Sequence, residues 1–221
     1  MGFLTQRLWE SISSTYDAIL NHPFITGLTS GELEREAFEF YVVQDALYLQ
    51  EYSRALALCA ARAPTEDATK MFAEHAAGAI AVEHQLHDSF FKDFGLTEAD
   101  IRRTEMAPTN LAYTSYLLAT AYRGSFAEAL GAVLPCYWIY MEVGKELLQR
   151  GSPDPLYTRW IATYGGDEYA QIVAGVLRLT DEVGDDLSRT DEAKVAEHFQ
   201  TTARLEWMFW DMGYRREQWP V

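Results

Sequence analysis

The sequence predicts an all-α protein, a bundle of about eight helices forming one domain over residues 1–221. Three observations carry that expectation. Apolar residues recur at helical spacing through most of the chain, no hairpin turn lies between alternating strands, and no repeat or low-complexity linker divides it. With 48% hydrophobic residues among 221, the chain has ample material for a large core.

Residues 3–20 place Phe3, Leu4, Leu8, Ile12, Tyr16 and Leu20 on one stripe and read as one helix. His22-Pro23-Phe24 ends it, because Pro23 pushes its predecessor out of the α region. Thr29-Ser30-Gly31-Glu32 resembles a capping box and opens a long helix running to Ala61. A second long helix spans 65–94 and stops at Gly95. Thr97 with Asp100 begins a short helix to Arg103, and Pro108-Thr109 begins another to Arg123. Gly124-Ser125 starts the helix that contains Leu134-Pro135-Cys136-Tyr137-Trp138. Pro135 lacks an N–H and crowds the preceding turn, so a kink is expected at the cysteine. Gly151-Ser152-Pro153-Asp154-Pro155 is the clearest loop, and helices near 155–164, 166–184 and 190–213 complete the chain.

Composition narrows the function. A net charge of −15 disfavours nucleic acid or an anionic membrane as partner, and no glycine-rich phosphate loop occurs. No uncharged apolar run is long enough to span a membrane, and the N-terminus lacks an apolar signal core. Two cysteines, Cys59 and Cys136, each in a helical pattern, suit a reducing cytoplasm. A neutral or cationic small ligand fits this balance.

Cys136 and Tyr140 stand four residues apart, so thiol and phenol share one helix face. The plainer reading is a buried structural cysteine. Asp45 lies in an apolar stretch with Tyr48 one turn on; it either faces the core, at a cost of several kcal/mol unless paired, or sits on the wet side of a long helix. Glu206 lies within Leu205-Glu206-Trp207-Met208-Phe209-Trp210-Asp211. A carboxyl packed on aromatic rings would have its ionised form disfavoured, whereas an exposed position would leave it ordinary. Tyr113, Tyr116 and Tyr164 read singly as core residues. A metal site matches poorly. Glu83, His84 and His87 have neither the Glu-x-x-His nor the His-Glu-x-x-His order, and Glu197-His198 does not complete one, so no metal is expected and His87 reads as a pocket or core residue.

Taken together, these motifs resemble the TenA/thiaminase II family. The resemblance is carried by His22-Pro23-Phe24, Tyr41-Val42-Val43-Gln44-Asp45 with Tyr48-Leu49, Glu83 with Leu86-His87 and Phe90-Phe91, Pro108 through Leu118, Leu134 through Trp138, and Glu206 through Asp211. Their order and spacing match over nearly the whole chain. The resemblance implies a haem-oxygenase-like helical fold, a homotetramer, and no cofactor. It implies hydrolysis of an aminopyrimidine substrate, either thiamin or its breakdown product 4-amino-5-aminomethyl-2-methylpyrimidine, to the pyrimidine alcohol in thiamin salvage. Cys136 places the chain in the branch with an active-site cysteine. By resemblance, Cys136 is the nucleophile, Glu206 the acid at the pyrimidine ring, and Asp45 the carboxylate near the thiol and the exocyclic amine. Tyr48, Tyr113, Tyr140 and Tyr164 are implied as pocket tyrosines, Phe209 as a stacking aromatic and His87 as a further pocket position.

The residues themselves leave two other classes open. One is a haem-oxygenase-like oxidase with a metal or redox cofactor, which iron analysis would separate. The other is a pyrimidine-binding regulatory protein without turnover, in which Cys136 would be dispensable. Direct DNA binding is disfavoured by the acidic chain and the lack of a basic recognition helix.

Overall fold

The computed structural model describes residues 3–221, with side chains throughout except at 82–88, 98 and 102. These residues form eleven helices in the order α1 (Leu4–Ser11), α2 (Ser13–Leu20), α3 (Pro23–Ser30), α4 (Arg35–Arg62), α5 (Glu66–Phe94), α6 (Glu98–Arg103), α7 (Pro108–Arg123), α8 (Phe126–Arg150), α9 (Pro155–Gly165), α10 (Asp167–Asp185) and α11 (Arg189–Arg215). There is no strand among the described residues. The all-α expectation holds, and no helix among these residues is long and apolar enough to cross a membrane.

Most boundaries follow from local chemistry. Thr65 caps α5 by accepting from the Ala68 N–H, and Gly95 ends it at φ 71°. Thr97 and Asp100 form the expected capping box of α6. Pro108 and Pro155 occupy first turns, where a missing N–H costs nothing.

Three expectations need correction. The stripe over 3–20 is two helices, divided at Ile12 (φ −113°, ψ 9°) within Ser11-Ile12-Ser13-Ser14-Thr15, where short hydroxyl side chains compete for backbone partners; Ser11 Oγ donates to the Leu8 carbonyl. Pro23 starts a helix as well as following the end of one: the His22 ring accepts from the Phe24 N–H and caps α3. Thr29 to Glu32 is not a capping box. Gly31 (φ 75°) closes α3, Ser30 Oγ accepts from the Glu32 N–H in a local turn, and α4 begins later, at Arg35.

The chain divides into two compact units. The first comprises Met1–Leu33 and Ala127–Trp207. Within it, Asp181 on α10 substitutes for a missing cap on α1, accepting from the Thr5 N–H at 2.9 Å and from Thr5 Oγ1 at 3.0 Å. Leu4 rests directly on Gly184, where a Cβ would come within 2.7 Å. The 151–155 loop is held by Ser152 Oγ donating to the Leu28 carbonyl, and Tyr157 beyond it donates to that of Leu33.

The second unit comprises Glu34–Phe126 and Met208–Val221. Here α4 packs on α5 and α7. Arg62 donates to the carbonyls of Ala121 and Gly124 and so closes the end of α7. Trp219 Nε1 donates to the Met106 carbonyl, and the Glu217 carboxylate accepts from the Thr109 N–H, which pins the C-terminal segment to the start of α7.

Candidate active site

In the first unit, α8 runs without interruption through Pro135. The proline can give no hydrogen bond to the carbonyl four residues back, which belongs to Gly131. At Gly131 the backbone of α11 comes close: a Cβ would lie 2.8 Å from the Val195 carbonyl oxygen. α8 is a continuous helix across the position where the kink is expected.

From there, Cys136, Tyr140 and Gly144 follow at intervals of four and share one face of α8. That face meets the junction of α9 and α10. Tyr140 packs on Tyr164, with ring centroids 4.9 Å apart, and on Trp160 at 6.3 Å. Gly144 touches backbone: a Cβ there would sit 2.5 Å from the Tyr164 carbonyl carbon and 2.6 Å from the Gly165 nitrogen. One added to Gly165 would meet the Gly144 oxygen at 2.7 Å. Only a pair of glycines permits this approach, and it sets Tyr164 against Tyr140.

Gly144→Ala tests this, because the obstacle is backbone and cannot rotate away. The substitution is expected to cost about 1–3 kcal/mol and to lower turnover by displacing Tyr164. Thermal unfolding and steady-state rates would check it, and wild-type values in both would contradict the close approach.

Cys136 itself is buried, and its carbonyl accepts a hydrogen bond from the Tyr169 hydroxyl at 3.3 Å. Tyr169 stands edge-on to Tyr164, 5.5 Å away. Burial pushes the Tyr169 phenol well above its ordinary value, and the negative charges available to Cys136, Tyr164, Tyr137 and Glu206 push it further. Glu206, on α11, is only 1% exposed, which decides between its two sequence readings in favour of enclosure. Thiol, tyrosines and carboxyl thus lie within electrostatic reach of one phenol.

In the second unit, Asp45 on α4 is 7% exposed, so it faces inward and not onto a wet surface. Tyr48, one turn on, packs on Tyr113 of α7 at 5.0 Å and on Phe209 of α11 at 5.4 Å; Phe209 also meets Tyr41 edge-on at 5.7 Å. Next to Asp45, Gln44 is a polar anchor. It donates to the Glu105 carbonyl and accepts from the Ala107 N–H and from the Asn110 amide, holding the segment before α7 against α4. Tyr113, one turn along α7 from that anchor, gains its place against Tyr48 accordingly.

The structure therefore groups Cys136, Tyr140, Tyr164 and Glu206 in one unit, and Asp45, Tyr48, Tyr113 and Phe209 in the other. His87 lies outside the described side chains, as do Glu83 and His84. Among the described residues no group of three or more His, Cys, Asp or Glu could hold a metal ion. Sequence reading missed Tyr169, Gly144 and Gly165. A cleft of about 320 Å³ in the second unit, lined by Glu36, Phe40, Asp100, Ile101 and Arg216 among others, includes none of the predicted site residues. The other cysteine, Cys59, is a thiol whose pKa is pushed up to about 12 by burial, against a weak opposing pull from Arg62. It is a poor nucleophile.

These features define an all-α protein of the haem-oxygenase-like class. A domain of unknown function with a heme oxygenase-like fold from Shewanella denitrificans OS217 matches with a TM-score of 0.75 at 17% identity, covering 96% of this chain and 92% of its own. Similarity rises with a TenA homologue protein from P. horikoshii OT3: TM-score 0.89 and 31% identity over 97% of this chain and 99% of that one. An aminopyrimidine aminohydrolase from Halalkalibacterium halodurans is 37% identical over 214 residues, 96% of each protein. The TENA/THI-4/PQQC family model matches residues 9–216, and the chain belongs to that family.

Proposed function

We propose that this protein is an aminopyrimidine aminohydrolase that converts 4-amino-5-aminomethyl-2-methylpyrimidine, and with lower efficiency thiamin, to 4-amino-5-hydroxymethyl-2-methylpyrimidine in thiamin salvage. The observation that carries this reading is 37% identity to an aminopyrimidine aminohydrolase over nearly the full length of both chains.

The chemistry assigned to the side chains is as follows. The Cys136 thiolate adds to a ring carbon while the Glu206 carboxylic acid gives its proton to a ring nitrogen. The substrate's aminomethyl group is carried as its ammonium, so the electron-rich adduct expels neutral ammonia from the methylene. Water adds there and gives its proton to the departing ammonia; the thiolate then leaves as the ring becomes aromatic again, and the ring-nitrogen proton returns to Glu206. One water is consumed and one ammonia released. Support for Glu206 in this role comes from its enclosure, which keeps the carboxyl out of bulk water. Asp45 is assigned to accept from the exocyclic amine, and Tyr48, Tyr113, Tyr140, Tyr164 and Phe209 to hold the flat ring. For these, and for His87, the reading rests on the family resemblance. It further takes residues 1–221 as one TenA-like domain, assembled as a homotetramer in the cytoplasm, where two thiols suit the reducing conditions.

Specificity constants for the two substrates test the ranking. The small amine is expected to be preferred over the bulky, charged thiazolium, because a pocket built of aromatic side chains favours the smaller leaving group. A clear preference for thiamin would mean that the site is open beyond that carbon and that the protein degrades the vitamin.

A further inference from the structure

We propose that Tyr169 is a positioning residue for Cys136, a role that rests on the reading of Cys136 as nucleophile. No sequence pattern marks this tyrosine, whose hydroxyl lies on the Cys136 carbonyl.

Tyr169 stands in the first turn of α10, which starts only one residue after α9 ends. Gly166 between them is extended (φ −78°, ψ 157°), and Gly165 is locked against Gly144 of α8. Its hydroxyl then reaches the Cys136 carbonyl at 3.3 Å. The two contacts, Gly165 on Gly144 and Tyr169 on Cys136, lie eight positions apart on α8, about 12 Å of helix. Between them lies Tyr140, packed on Tyr164.

A tether at Cys136 has a physical purpose. The preceding residue is Pro135, so α8 lacks one of its own hydrogen bonds at this turn and is held less firmly there. The acceptor left without a helical donor is the Gly131 carbonyl, one turn before; the Tyr169 hydroxyl adds a bond from outside the helix at the residue that follows the proline. Because burial and nearby negative charge keep the phenol protonated through the neutral range, the donor is present at any pH where the enzyme would work. The side chain hydrogen-bonds the backbone of Cys136, so it acts through geometry. Misplacing a reacting atom by about 1 Å can cost up to about a hundredfold in rate.

Tyr169→Phe removes the hydroxyl and keeps the ring against Tyr164. Two readouts on the full-length protein decide the matter. The first is steady-state kinetics with the aminomethylpyrimidine: kcat is expected to fall about tenfold with KM nearly unchanged. The second is the rate of Cys136 alkylation by iodoacetamide at fixed pH, corrected with Cys136→Ser for any reaction at Cys59. It is expected to rise several-fold, because a loosened turn exposes a thiol that is otherwise buried. Wild-type alkylation and wild-type kcat would overturn the proposal, as would a variant whose thermal stability collapses and whose KM rises with the fall in kcat, the pattern of a merely structural tyrosine. If the wild-type protein fails to turn over any aminopyrimidine, the functional reading falls, while faster alkylation in Tyr169→Phe still supports the tether and unchanged alkylation still removes it.

Discussion

Cys136→Ser is expected to lower turnover by about four or more orders of magnitude while leaving the fold and pyrimidine binding intact. A hydroxyl fills nearly the same volume as a thiol, so the face formed by Cys136, Tyr140 and Gly144 keeps its packing. Near neutral pH, however, a serine hydroxyl is almost never ionised and is a far poorer nucleophile than a thiolate. Cys59 cannot substitute, since burial raises its pKa to about 12. Circular dichroism and thermal unfolding would confirm the fold, and equilibrium binding of the pyrimidine would confirm the site. Turnover close to wild type in this variant would remove the covalent step from the account.

Glu206→Gln is expected to cost about two to four orders of magnitude in kcat, the range of a general acid–base group. The amide has the shape of the carboxyl and retains one acceptor and a donor, so affinity should fall much less than rate. This separation matters because Glu206 is enclosed, at 1% exposure, and a buried carboxyl can hold a ligand as readily as it can move a proton. A variant that binds weakly but keeps its maximal rate would make Glu206 a binding group. Rate loss at nearly constant affinity is the outcome expected of a proton donor.

Several helices are legible in the sequence because their ends carry explicit chemistry. Thr65 and Gly95 bound α5, Thr97 and Asp100 start α6, and Pro108 starts α7. At the N-terminus the same reasoning failed twice. The apolar stripe over 3–20 continues in phase across Ile12, so periodicity alone could not reveal that the backbone breaks there. Pro23 was read as a stop, whereas a proline after a capping residue is equally a start, and α3 is too short to announce itself by period.

The candidate site is drawn from residue types that the sequence displays. Burial then settled what spacing could not: Asp45 and Glu206 each had an exposed alternative, and both are enclosed. What stayed hidden depends on backbone. The Gly144–Gly165 contact joins residues that belong to different helices and carry no side chain to betray them. Tyr169 meets Cys136 through a carbonyl, an acceptor that every residue has, and therefore leaves no pattern in the sequence.

The central claim is hydrolysis, and product analysis with purified protein and 4-amino-5-aminomethyl-2-methylpyrimidine tests it most directly. The account predicts the hydroxymethylpyrimidine alcohol and ammonia in equal amounts, with the new hydroxyl oxygen drawn from water. Ammonia accompanied by the pyrimidine aldehyde would mark an oxidase, and the absence of both products would leave a protein that binds without turnover; either result would contradict the account.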